Sequence, residues 1–138
     1  MLPPSLRLAL TNLVVSFSLV VLLGCGESDQ SGIDRNVDVA ALSAELESAD
    51  DARVVEALAN LWQAEERLKP LLPKLIELLK HKNTEIRRLA SYNIYVLGEN
   101  ADAAIEPIKA VIKIERDPNA RSQHLNTLSA IAPEASAQ

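Results

Sequence analysis

From about residue 37 to residue 132 the apolar positions recur every three or four residues, the period of helices that bury one stripe. Over 84–97, Ile86, Ala90, Asn93, Ile94 and Leu97 share one face. Asn83 or Thr84 is placed to accept from the free amides at its start, and Gly98 stands where a left-handed closing residue is wanted. Over 69–81, Leu71, Leu72, Leu75, Ile76, Leu78 and Leu79 make a broad apolar stripe. Pro70 and Pro73 fall in its first turn, where a missing amide donor costs little, and Pro107 repeats the device further on. The pattern predicts helices near 37–48, 51–64, 69–81, 84–97, 102–115 and 118–131. Aromatic residues are scarce and the β-branched ones sit within helical periods, so the expected class is all-α.

The helices alternate between two kinds. Shifted by 33 residues, Asp50-Asp51-Ala52-Arg53-Val54-Val55-Glu56-Ala57 aligns with Asn83-Thr84-Glu85-Ile86-Arg87-Arg88-Leu89-Ala90. The same shift carries Leu72, Leu75, Leu78, Leu79 and Lys80 onto Ile105, Ile108, Val111, Ile112 and Lys113. A further shift of 34 carries Asn83, Arg87, Ile94, Leu97 and Gly98 onto Asp117, Arg121, Leu128, Ile131 and Ala132. This series over 37–132 resembles HEAT repeats of the HEAT-like bacterial type, with Asn83, Ile86, Arg87, Ala90, Leu97 and Gly98 as the best unit. The first unit departs from it at Val54 and at Gln63-Ala64-Glu65, and the third has His124 where a small residue belongs. The resemblance implies a short right-handed α-solenoid of paired antiparallel helices, about 2.5 repeats long, close to the smallest stack that is stable alone. Asp117 and Arg121, four apart, are expected to pair weakly.

The first 24 residues follow a different pattern. One cation, Arg7, precedes an apolar run from Leu8 to Leu23 interrupted only by Thr11, Asn12, Ser16 and Ser18. That is short for a permanent membrane span, which needs about 20 mostly apolar residues, and suits a cleaved export signal. Leu22-Leu23-Gly24-Cys25 resembles the bacterial lipobox. The resemblance implies cleavage between Gly24 and Cys25 and acyl chains on Cys25, the only cysteine. Gly26 favours outer-membrane sorting over retention at the inner membrane, on the periplasmic side. Residues 25–36 are polar and lack a period, so they are expected to form a flexible tether, with 133–138 as a tail.

Setting aside Arg7, the only charged residue before Cys25, leaves 13 basic and 19 acidic residues, a net charge of −6. Such a chain lacks the positive footprint of a nucleic-acid binder. No metal-ligand spacing, phosphate loop or nucleophile elbow is present, so no catalytic residue, metal or cofactor is expected beyond the lipid on Cys25. His81 in Lys80-His81-Lys82 reads as part of a cationic helix end, and His124 as partly buried packing. Asp50-Asp51 read as capping residues, and Glu65-Glu66 sit at a helix edge.

Three surfaces are candidates for a protein partner. Trp62 and Tyr95 occupy equivalent positions one unit apart, and Tyr92, Tyr95 and Arg88 point away from the apolar stripe. Trp62 has a second reading, as packing at the edge of the core. Lys74, Glu77 and Lys80, then Lys109 and Lys113, form the polar face of the Pro-led helices, which a solvated face explains equally well. The third is an apolar C-terminal edge of Leu125, Leu128 and Ile131, open to a second copy. The resulting expectation is a non-enzymatic, membrane-anchored platform for envelope proteins. The alternatives are a HEAT-like enzyme of the bilin-lyase kind, for which no active-site residue matches, and a self-associating structural component.

Overall fold

The structure, a computed structural model, describes residues 37–136, and all of it that is regular is helical. The expected export signal, Cys25 and the expected tether therefore lie outside the described residues. Six α-helices are seen among the described residues: α1 (Val39–Glu45), α2 (Asp51–Leu61), α3 (Leu72–Leu78), α4 (Thr84–Leu97), α5 (Ile105–Ile114) and α6 (Pro118–Ile131). Helices α4 and α6 match the sequence expectation end to end. Their starts are fixed by Asn83, whose Oδ1 accepts from the Glu85 amide at 2.9 Å, and by Asp117, whose Oδ1 accepts from Asn119 and Ala120. Asp38 and Asp50 cap α1 and α2 in the same way.

The other expected helices are shorter. The one read over 51–64 ends at Leu61, and Trp62–Leu71 follows as a 3₁₀ segment bent at Glu65. The one read from 69 begins at Leu72, and the one read from 102 begins at Ile105 after the 3₁₀ segment Gly98–Ala104. The cause is the same twice. A turn of positive φ at Glu65 (φ 49°) or Gly98 (φ 53°) leaves too few residues before the next helix for a full α turn. The tighter 3₁₀ winding fits small buried side chains there, Ala64 and then Ala101 and Ala104.

Helix α4 is the hub. It packs against α2 and α3 on one side and most extensively against α6, while α5 packs on α6. The core holds Val54, Leu58, Leu61, Leu68, Leu75, Ile86, Ile94 and Ile108, none more than 2% exposed. Leu128 and Ile131, expected at an open C-terminal edge, are buried in this core; the segment Pro133–Ser136 packs on α6, and only Leu125 of that trio is exposed. No helix among the described residues is long and apolar enough to cross a membrane.

Candidate functional site

The aromatic candidates are at the surface. Trp62 and Tyr95 are each 44% exposed, so neither ring lies inside the core. Tyr92 and Tyr95, three apart on α4, stack with ring centroids 6.1 Å apart and planes 15° from parallel. They line an open groove of about 620 Å³ whose other wall is α6, with Gln123, Asn126, Ser129 and Ala130. Arg88 sits in the adjoining groove, which shares Gln123 and Asn126, and its guanidinium is held by Glu85 through two hydrogen bonds. That contact raises the Arg88 pKa and lowers that of Glu85. Tyr92, Tyr95 and Arg88 are thus brought together along one α4–α6 seam. It offers two aromatic rings, two amides and a cation, the composition of an interaction surface.

The polar face of α3 and α5 divides instead. Lys74 bonds Glu47 at 2.9 Å and Glu77 at 3.3 Å, and Glu47 is the first cause of its raised pKa. Lys109 pairs with Glu106 at 3.0 Å, beside a separate groove near Ile131 and Pro133. No hydrogen bond or ion pair joins the α3 set to the α5 set among the described residues. Lys80 instead faces Arg116 across a cleft of about 400 Å³ floored by Leu79, Val111 and Ile114, the last 74% exposed.

Beneath these surfaces lies a charged joint that the sequence reading missed. Arg87 spends all five donors: Nε and Nη2 on the Glu115 carboxylate at 2.6 and 2.9 Å, Nη1 on the carbonyls of His81 and Lys82, and Nη2 again on Thr84 Oγ1. Glu115 also accepts from the amides of Arg116 and Asp117. Its side chain is 4% exposed, and the Arg87 guanidinium holds the carboxyl far below its ordinary range, at about 2. Arg87 is raised in turn.

His124 is not partly but wholly buried beside this pair. Its Nε2 lies 3.6 Å from Glu115, beyond hydrogen-bond reach, and neither ring nitrogen has a partner. Burial pushes its pKa down, so the ring is neutral in spite of the neighbouring carboxylate. The arrangement is poor chemistry for a catalyst, because the carboxylate is saturated and the imidazole has no access to solvent. The sequence carried a signal for it. Under the 33-residue shift Val54 becomes Arg87 and Lys82 becomes Glu115, two exchanges that together introduce opposite charges in this unit.

The remaining expectations resolve locally. His81 Nδ1 accepts from the Asn83 amide, and its Nε2 lies 3.8 Å from Asp51. Asp51 also accepts from the Asn83 side chain at 3.1 Å, which ties α2 to the start of α4. No ion pair joins Asp117 to Arg121 among the described residues, since Asp117 is committed to capping. No cluster of three or more metal-ligating side chains occurs among the described residues. Comparison with family models, with curated proteins and with solved structures finds no match to this chain.

Proposed function

We propose that this chain is a membrane-anchored lipoprotein whose helices stack as a short HEAT-like α-solenoid, and that it holds an envelope protein rather than transforming a substrate. The lipobox-like Leu22-Leu23-Gly24-Cys25 supports the anchor, and the 33-residue periodicity supports the stack. One observation carries the docking role: Tyr92 and Tyr95 are stacked, accessible, and set over a groove walled by neutral hydrogen-bonding side chains. Two ordered rings present large contact area with little rotamer entropy left to lose. The titratable groups with the most perturbed surroundings, Glu115 and His124, are locked into the joint.

The test places a photo-crosslinking residue at Tyr95 and, in a second strain, at Arg53, in the full chain within intact cells. A discrete adduct from Tyr95, absent from Arg53 and lost with Tyr92→Ala, is expected. Equal adducts from both positions overturn the assignment. Cys25→Ala is expected to abolish incorporation of labelled fatty acid, and retained labelling overturns the anchor.

A further inference from the structure

The cations of the described residues are unevenly committed. Arg53, Lys74, Arg87, Arg88 and Lys109 are each held by a carboxylate. Lys69 and Arg121 form no ion pair among the described residues, and neither do four cations that fall close together, Lys80, Lys82, Lys113 and Arg116. All four lie just beyond α3 or at the end of α5, and Lys80 and Arg116 share one cleft. The nearby carboxylates are already engaged: Glu115 by Arg87, Asp51 by Asn83, and Asp117 by the amides of α6. Amid these cations stands Ile114, more exposed at 74% than any other large apolar side chain of the described residues.

We propose that this end of the domain docks on an anionic lipid surface, with the four cations meeting phosphate headgroups and Ile114 entering the acyl boundary. The residue types favour lipid over protein. Three of the four cations are lysines, which protein interfaces deplete, whereas polybasic clusters next to an apolar side chain suit a charged bilayer. No aromatic side chain joins Ile114 in the cleft, so it lacks the anchor of a protein hot spot. The chain as a whole carries a net charge of −5, so an anionic surface repels most of it and admits this end first. The inference rests on the lipoprotein reading only for a membrane being at hand; the contact itself follows from the residues at this end.

The experiment uses the full chain with Cys25→Ser, so that a fluorophore reacts only at an introduced cysteine, Ile114→Cys or, as a control, Leu125→Cys. Vesicles are equimolar phosphatidylglycerol and phosphatidylcholine, or phosphatidylcholine alone. With anionic vesicles the label at 114 is expected to shift to the blue and become shielded from acrylamide, while the label at 125 stays unchanged. Lys80→Glu with Lys113→Glu is expected to raise the lipid concentration for half-maximal shift roughly tenfold or more. Equal shifts with both vesicle types, equal shifts at both positions, or indifference to the charge reversal each overturn the proposal. So does an equal response of the label at 114 to polyglutamate, which would assign this end to an acidic polypeptide. Fatty-acid labelling of Cys25 and crosslinking from Tyr95 are read on other residues, so failure of the platform leaves this result standing, and the reverse.

Discussion

The two faces of α4 meet their neighbours by different chemistry. Toward α2 the joint is apolar along its length: Val54, Ala57, Leu58 and Leu61 are buried, and the polar links are the Asn93 amide to the Leu58 carbonyl and, at the helix start, the Asn83 side chain to Asp51. Toward α6 it is polar: Ser91 Oγ lies 2.9 Å from Thr127 Oγ1, His124 is fully buried, and Arg87 reaches Glu115 just ahead of α6. Aligned by the 33-residue shift, Leu58 stands where Ser91 stands and Val54 where Arg87 stands. The apolar joint draws stability from area and tolerates small slips. The polar joint adds little net free energy over an apolar replacement but fails if its groups are misaligned, so we expect it to set register.

The comparison breaks most visibly at Leu58. Leu58→Ala leaves a cavity in the apolar joint and is expected to lose about 2–5 kcal/mol in denaturant unfolding. A loss under 1 kcal/mol would mean that this joint is not close-packed. The polar joint is expected to respond by halves. Arg87→Met strands the Glu115 carboxylate and loses about 3 kcal/mol, whereas Arg87→Met with Glu115→Leu recovers most of that loss. A double variant that stays as destabilised as Arg87→Met alone would show that the pair is net stabilising over an apolar replacement.

Acid sharpens the contrast next. His124 is held below its ordinary pKa by burial, so only the unfolded chain gains a proton as pH falls through about 6.5. Glu115, at about 2 against an ordinary 4.5, then refuses the proton that the unfolded chain accepts. Both effects lower stability on acidification, the first below about pH 6.5 and the second between about 4.5 and 2, the carboxyl contributing about 3 kcal/mol at most. His124→Gln should remove the first limb and keep the second; an unchanged profile would contradict the neutral histidine. Ser91→Ala is expected to lose only about 1 kcal/mol, because the Thr127 hydroxyl still has a carbonyl acceptor, that of residue 91 or of Gln123. Tyr95→Ala, outside both joints, should change stability by no more than about 0.5 kcal/mol.

The helical class and the boundaries of α4 and α6 were legible because caps, closing residues and the apolar period agree there. That Tyr92, Tyr95 and Arg88 lie outside the buried stripe, half-buried or exposed, was legible for a related reason: helical spacing fixes which side chains leave the stripe. The reading failed where contact partners lie far apart in sequence. Arg87 and Glu115 are separated by 28 residues, and nothing local to either announces the other. Leu128 and Ile131 misled because α6 packs on α4, α5 and the tail, while Leu125, on the same helix, stays exposed. The shortened helices misled because tight turns consumed residues that the apolar period alone assigns to helix.

One of those turns has a consequence for how the molecule comes apart. Glu65 (φ 49°, ψ −120°) and Gly98 (φ 53°, ψ −135°) bend the backbone almost identically, 33 residues apart. Glycine enters that region freely and glutamate does not, so the earlier bend runs against its own residue's preference, flanked in the chain by the buried Ala64 and Leu68. A spring under tension gives first. On heating, the amides of 62–71 should exchange with solvent ahead of those of α4, and Glu65→Gly should delay that opening.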